Sequence, residues 1–367
     1  MGFLRIILAL TVVIAHSDSL FGFTFTGSLV AVETFFIISG FYMAMILDKK
    51  YIGKGSYTLF LSNRFLRLYP ILWVVLLLTL IASFASFVFT GNWFRLSLYI
   101  KYFDIMSIKA LLFQIITNVA LFGQDIVMFL GISQETGEMY FTHDFRTSQP
   151  MFYHFLFVPQ AWSLGIEVTF YLIAPFIVRK SNLFIALLII LSMSIRIFTY
   201  LFLGFTHDPW TYRFFPSELA LFLLGTVSYR LYKVYKIHKI TIFGYKIEKI
   251  ITGIFFIVLI FYQFVPHMIN WIFYALCCLS IPFLFDLSKS SKFDSRIGEL
   301  SYPIYVIHIL VIGSISPFFS VIGLWDNHKG EWSIIITILV SYILVRLISD
   351  PIEMVRQSRV KKIEQKA

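Results

Sequence analysis

Leu111-Leu-Phe-Gln114-Ile-Ile-Thr-Asn118-Val-Ala-Leu-Phe-Gly-Gln124-Asp125-Ile-Val-Met-Phe-Leu-Gly-Ile132 is apolar enough to cross a bilayer, which takes about 20 residues. Whether it crosses decides the topology of everything after it. Ten other apolar runs have spanning length: 3–21, 29–47, 68–89, 160–178, 183–204, 215–231, 249–266, 269–286, 300–322 and 332–350. If these ten alone cross and the N-terminus lies inside, the inner connections collect most of the 30 lysines and arginines. They include Lys49, Lys50, Lys54, Arg64 and Arg67, the cluster from Arg230 to Lys249, and the cations from Arg346 to Lys366. That is the positive-inside pattern, with both termini cytoplasmic. Counting 111–132 as a span inverts every later helix and exports the Arg230–Lys249 cluster. Gln114, Asn118, Gln124 and Asp125 also suit a re-entrant or protein-buried helix, because non-spanning backbone at membrane depth survives only when packed in protein or lining a cavity. The segment is therefore read as non-spanning, with an eleventh span and a different partner crossing as the rival.

Composition agrees with a chain built for lipid. Hydrophobic residues make up 59% of the 367, aromatics 19% and charged residues 14%, against about 25% charged in soluble domains. With a mean hydropathy of +0.82, this excludes a disordered chain, a collagen-like chain and an ordinary soluble enzyme. The expected fold class is all-α, a polytopic membrane protein of about ten transmembrane helices plus one re-entrant or buried helix. The formal net charge of +10 does not indicate nucleic acid, since the cations sit between apolar runs rather than on one soluble face. Cys277 and Cys278 are sequence neighbours and staple nothing. The opening Met1-Gly-Phe-Leu-Arg5-Ile-Ile-Leu-Ala-Leu-Thr-Val-Val-Ile-Ala-His16 resembles a signal peptide, but it lacks a small-x-small cleavage site, so it reads as a retained first helix. Residues 1–350 form one expected transmembrane domain and 351–367 a basic cytoplasmic tail, with no soluble domain appended.

Ions inside a bilayer each cost about 2.5–3.5 kcal/mol on insertion scales, so those that remain are site candidates. Arg5 and His16 lie eleven positions apart on the first helix, ~16 Å or three turns, which leaves Arg5 near the cytoplasmic face and His16 near mid-membrane. A neutral imidazole there can take a proton; a structural histidine bonded to a neighbouring helix is the alternative. The short connection 22–28 makes the first two helices antiparallel neighbours, so Glu33 is expected to approach His16 and orient it, or else to sit hydrated at the rim. Ser39-Gly40 permits close helix packing. Arg64 and Arg67, at i and i+3, present two guanidiniums that suit phosphate oxygens, or lipid headgroups. In Trp162-Ser163-Leu-Gly-Ile-Glu167, Trp162 is an interface anchor and Glu167 is drawn into the apolar run, where it needs water or a partner. His308 lies deep in a late span, either as a second site histidine or as a packing group. His143-Asp144 and His207-Asp208 are weak metal candidates, and no metal is expected.

These clues coincide in order. Arg5 with His16, the segment Phe35 to Phe41 preceded by an acid, Arg64 with Arg67, Trp162 to Glu167, and Leu300-Ser-Tyr-Pro-Ile-Tyr-Val-Ile-His308 together resemble the acyltransferase-3 family of bacterial membrane acyltransferases, from residue 5 to about 350. The resemblance implies a ten-helix domain of the bacterial inner membrane that moves an acyl group, usually acetyl, from a cytoplasmic coenzyme A thioester to a carbohydrate outside. It implies acetyl-CoA as the acyl donor, and a carbohydrate or lipid-linked glycan such as lipopolysaccharide O-antigen as acceptor. On this resemblance His16 matches the family's essential histidine and Arg5 its first-helix arginine. Arg64 and Arg67 match the cytoplasmic motif associated with the donor, while Glu33, Glu167 and His308 match recurrent acidic and histidine positions. Members often carry an extracytoplasmic hydrolase-like domain, which this chain lacks.

The expected chemistry has His16 as general base on the acceptor hydroxyl, or as a transient acyl carrier, with Glu33 or Glu167 orienting it. Arg5, Arg64 and Arg67 hold the donor; Trp162, Ser163 and His308 support. The alternative from another class is a transporter or flippase whose buried ions line a pathway, though the inverted repeat that transporters often show is not seen. Acceptor choice is expected in the outer connections 90–110, 132–159, 205–215 and 323–331, where Trp93, Tyr140, Trp210 and Trp325 suit sugar stacking or an interfacial aromatic belt.

Overall fold

Helices form where the apolar runs lie, and glycines decide how closely they pack. The structure, a computed structural model, describes residues 1–237, 241–242, 245–266, 270–321 and 328–364. Its helices are α1 (Gly2–His16), α2 (Gly27–Lys49), α3 (Ser56–Thr90), α4 (Ser97–Tyr102), α5 (Ile108–Ala120), α6 (Trp162–Ile177), α7 (Asn182–Leu201), α8 (Phe215–Ile237), α9 (Ile247–Ile260), α10 (Asn270–Ser288), α11 (Lys292–Gly298), α12 (Ser301–Val321), α13 (Lys329–Leu344) and α14 (Asp350–Glu364). The chain is thus an all-α polytopic membrane protein. Each of the ten expected runs has a helical counterpart, but by length and apolarity seven among the described residues are candidate spans, namely α2, α3, α6, α7, α10, α12 and α13. Of the other three, α1 and α9 are short, at 15 and 14 residues, and α8 carries four charges along its 23 residues. Trp325 lies outside the described residues, as does the last part of the tail, 365–367.

Segment 111–132 does not form a long helix. α5 has 13 residues, a rise of about 20 Å against a hydrocarbon core of about 30 Å. Beyond it the chain turns through Ile126–Phe129 into a hairpin of β1 (Leu130–Ile132) and β2 (Met139–Phe141), paired antiparallel with Gly131 opposite Tyr140. The polar residues that set this segment apart bond to protein. Gln114 donates to the Phe152 carbonyl at 2.9 Å, Asn118 accepts from the Phe157 amide at 2.8 Å, and Gln124 donates to the Thr117 carbonyl at 3.1 Å. Asp125 is buried where α6 passes, with Gly165 leaving room for its carboxylate. Residues 91–161 thereby form a cap at the end of the bundle where α3 finishes and α6 begins.

A close crossing joins α2 to α8. A Cβ on Gly40 would stand 1.9 Å from the Phe222 carbonyl oxygen, and one on Gly225 would stand 2.0 Å from the Ile37 carbonyl oxygen, so the two backbones touch. Phe222 stacks between Phe36 of α2 and Phe170 of α6, with ring centroids at 4.7 and 4.3 Å. At the opposite end from the cap, Asp294 of α11 accepts from the amides of Gly2 (2.7 Å) and Phe3 (2.9 Å), capping the free N–H groups of α1. Helix α14, read from sequence as a tail, turns back along α3, and Arg359 donates to Ser62 Oγ at 2.8 Å. Both chain ends therefore lie at one end of the bundle. The outward faces of α3 and α7 expose Leu77, Phe84, Leu187 and Ile190, as a lipid-facing wall requires.

The α2–α8 contact carries a prediction. Gly225→Val forces side-chain atoms into backbone, and overpacking costs of about 3 kcal/mol or more follow. Thermal unfolding of the purified protein should show a marked fall in midpoint, whereas Gly253→Ala, whose Cβ meets nothing within 4 Å, should show none. An unchanged midpoint for Gly225→Val would contradict the contact.

Candidate active site

A cavity of about 680 Å³ opens at the end of the bundle that carries both termini. Arg5 of α1, Arg64 and Arg67 of α3 and Arg356 of α14 line it, together with Ser39, Ser163, Glu167, Tyr302 and Tyr305. Six helices, α1, α2, α3, α6, α12 and α14, thus each turn a polar side chain toward one space. Arg64 is buried, with its guanidinium carbon 5.8 Å from the Phe60 ring and 5.9 Å from the Tyr171 ring, and its Nε meets no hydrogen-bond acceptor. Arg5 and Arg67 stand close enough to repel one another. No ion pair among the described residues includes Arg5, Arg64 or Arg67; Arg356, by contrast, is paired with Glu353. Three guanidiniums held in a partly desolvated space with no carboxylate in ion-pair range among the described residues are a site for an anion, and forked N–H groups match phosphate oxygens.

Glu167 is the acidic residue deepest in this cavity. Its Oε1 accepts from Ser39 Oγ and from the Tyr171 hydroxyl, both at 2.5 Å. Above it the cavity ends at a hydrogen-bonded partition. The Tyr305 hydroxyl donates to the Gln160 carbonyl at 2.7 Å, so the 2.6 Å contact between Tyr305 and Ser163 is donated by Ser163. Gln160 in turn donates to the Val306 carbonyl, which ties the start of α6 to α12.

On the far side of the partition lie the two histidines. His308, one turn along α12 from Tyr305, is fully buried and shares its Nδ1 with the Tyr305 carbonyl at 2.7 Å. A carbonyl partner fixes the hydrogen on Nδ1 of the neutral ring, which leaves Nε2 as a lone pair, and that atom has no partner. The His16 ring stands 5.1 Å from the His308 ring. His16 ends α1, is exposed, and does not line the arginine cavity. On its side Arg213 lies 4.1 Å from the Trp162 ring, paired with Asp208 at 2.7 Å, and its charge reaches His16. A proton acceptor thus sits between two approaches, the cationic cavity on one side and an aromatic, arginine-bearing vestibule on the other.

The structure brings together Arg5, Arg64, Arg67, Ser163 and Glu167 in the cavity, pairs His16 with His308, and sets Trp162 in the vestibule. Glu33 is not among them. The expectation that it approaches His16 is corrected by its partners, the Tyr274 hydroxyl and Arg196 Nη1 at 3.6 Å. The reason is angular: Glu33 lies seven residues before Gly40, on the face that packs against α8, while Phe35 and Ser39 share the face that lines the cavity. Glu167 likewise bonds Ser39 and Tyr171 rather than His16. His143-Asp144 and His207-Asp208 serve loop contacts: Arg146 reaches Asp144 at 3.2 Å and Asp208 at 3.9 Å, and Trp210 donates to the His143 carbonyl at 3.0 Å. Trp93 stacks on Phe87 at 4.0 Å. Sequence reasoning missed Tyr305, Arg213 and Arg356, and also Arg196 with Glu218. The last two sit inside apolar runs, so the rule that selected Glu33 would have found them.

Residues 1–352 match the acyltransferase domain of the acyltransferase-3 family. A protein of Aquifex aeolicus (strain VF5), described as uncharacterized, is 26% identical over 207 residues, 54% of this chain and 89% of that protein. No solved structure matches the chain.

The two-sided arrangement is open to a labelling test. In sealed vesicles of one orientation, a membrane-impermeant maleimide should modify Arg67→Cys from one side only and Arg213→Cys from the other only. The native cysteines are buried and give a low background. Modification of both from the same side would overturn the arrangement.

Proposed function

The chain belongs to the acyltransferase-3 family, and on that premise we propose that it is an O-acetyltransferase of the bacterial inner membrane. In this reading it carries an acetyl group from cytoplasmic acetyl-CoA to a hydroxyl of a cell-surface glycan such as lipopolysaccharide O-antigen. The observation that supports it most is the set of three guanidiniums without carboxylate partners in a cavity that stops one side chain short of the histidine pair. Coenzyme A is a phosphate-rich head on a long thin arm. The head suits Arg5, Arg64 and Arg67, and the arm suits the part of the cavity lined by Glu167 and Ser163. The cation-rich end that holds both termini is then the cytoplasmic one.

Chemistry follows from where the groups stand. For the thioester to reach His16 the Ser163–Tyr305 hydrogen bond opens and the arm passes between α6 and α12. His16 takes the proton of the acceptor hydroxyl as its oxygen adds to the thioester carbonyl. Collapse of the tetrahedral intermediate breaks the carbon–sulfur bond, and the imidazolium returns the proton to the departing thiolate. The alternative has the imidazole attack first and expel the coenzyme A thiolate, which leaves with the imidazole proton; the sugar oxygen then takes the acetyl group and gives its proton to the released imidazole. His308, with Nδ1 fixed by a carbonyl, positions the His16 ring through its free Nε2. Glu167 belongs to the donor arm in this scheme, and Glu33 stands outside it.

Three measurements test the reading. His16→Ala should abolish acetylated glycan, followed by mass spectrometry for one acetyl increment per repeat unit, while acetyl-CoA affinity stays within about twofold of wild type. Arg64→Gln with Arg67→Gln should weaken acetyl-CoA binding at least about tenfold, since a charged hydrogen bond contributes about 1.5–3 kcal/mol. Labelled donor supplied without acceptor leaves label on His16 only if the acyl-imidazole route operates. Normal product from His16→Ala would refute the assignment of the base.

A further inference from the structure

Two buried carboxylates take no part in this chemistry. Glu33 of α2 is 2% exposed and Glu218 of α8 is 0% exposed, and both face Arg196 of α7. Glu218 Oε1 lies 2.6 Å from Nη2, while the carbonyls of Thr211 and Ser217 accept from the same guanidinium at 3.1 and 3.3 Å. Arg196 makes these three hydrogen bonds without Glu33, while its Nε has no partner; Glu33 Oε1 is ion-paired to Nη1 at 3.6 Å, beyond hydrogen-bond length. The other oxygen of Glu33 accepts from Tyr274. Glu33 Oε1 is thus a carboxylate oxygen, nearly sealed in protein, that makes no hydrogen bond of normal length. It lies in the wall of a second cavity of about 430 Å³, a size that suits small ligands.

This cavity opens sideways between α7 and α10, with α2 behind it. Tyr200 and Trp271 flank it, 47% and 38% exposed, and Ile197 and Leu201 on its rim belong to the lipid-facing side of α7. Its charges disfavour two classes of amphiphile. The Glu33 carboxylate in its wall, beside a guanidinium already paired with Glu218, repels a phosphate headgroup, and that guanidinium carbon, 5.0 Å from the Trp271 ring, competes with a quaternary ammonium for the ring. What remains is a ligand with hydroxyls to donate to Glu33, an apolar face to lay on an aromatic ring, and a hydrocarbon chain to leave along Ile197 and Leu201. We infer that this lateral cavity binds the headgroup of an uncharged glycolipid.

The inference deepens the proposed reading and rests on its carbohydrate acceptor. Thr211 lines the cavity, and its neighbour Tyr212, which feels the charges of both Glu33 and Arg213, packs on Trp162 at 4.7 Å on the vestibule side. A lipid-borne sugar seated here stands one aromatic residue away from the His16 vestibule without leaving the membrane.

The test is photolabelling of the full chain in nanodiscs with a diazirine-tagged dodecyl glucoside. Label is expected on the peptides covering 193–201 and 270–274, competed by untagged dodecyl glucoside but not by dodecyl phosphate or dodecyltrimethylammonium. Glu33→Gln, and separately Tyr200→Ala with Trp271→Ala, should reduce labelling about tenfold, the loss of one good contact. The two aromatic positions are at the surface, so that variant reports even where Glu33→Gln fails to fold. Equal competition by the phosphate or the ammonium amphiphile overturns the inference, as does unchanged labelling in the aromatic variant. Saturable labelling in a protein that makes no acetylated product sinks the acetyl-transfer reading and leaves the site; product without saturable labelling does the reverse.

Discussion

The contact of α2 with α8 at Gly40 and Gly225 sets the rotation of α2, and much of the molecule follows from that rotation. With no side chain between the two backbones, α2 has no freedom to turn about its axis. One face is then committed to α8 and carries Glu33 to Arg196, while the neighbouring face carries Phe35 and Ser39 to the cationic cavity. At about 100° per residue Glu33 lies about 120–160° from Ser39 and Phe35, so a turn of that size would carry it from one cavity to the other. The same helix thus supplies a wall to both cavities, and they stay separate because the helix cannot roll.

Electrostatics divides the bundle in a similar way. Arg5, Arg64 and Arg67 on the cavity walls have no ion-pair partner among the described residues, whereas Arg196 is clasped by Glu218 and two carbonyls. An unpaired cation in a low-dielectric place attracts an anion strongly, and a paired one hardly at all. Counting buried arginines alone would have missed this difference, which lies in what stands within 4 Å of each.

The fold was largely legible in the sequence because lipid imposes simple rules on length and charge. Every expected apolar run became a helix, and 111–132 failed to form a long helix for the reason its polar residues suggest: Gln114, Asn118 and Gln124 bond to backbone within the protein. Helix ends were less legible. Two of the runs gave short helices, α1 and α9, since a span's length in sequence includes residues that the fold uses for turns, and a third, α8, is long but charged. Of the candidate site, residues tied to motifs were placed near one another, but pair assignments were not. Glu33 was close to His16 in sequence terms, yet its direction depends on glycines that pack α2 against α8, and α8 lies nearly 200 positions away. Arg356 was hidden for a similar reason, because nothing in a basic tail says that it folds back along α3.

The partition made by Ser163 and Tyr305 also has an electrical meaning. Water entering the cavity from one end and the vestibule from the other would bring both bulk phases close to a single layer of side chains. The transmembrane voltage then falls across that layer instead of the full hydrocarbon thickness, so a charge moved there feels most of the field, about 2.3 kcal/mol per elementary charge for each 100 mV. On the acyl-transfer route proposed above, an opening for the thioester would equally be an opening for protons. The arm passing between α6 and α12 would then double as a plug, and the insulation of the membrane would depend on the donor filling the gap it enters.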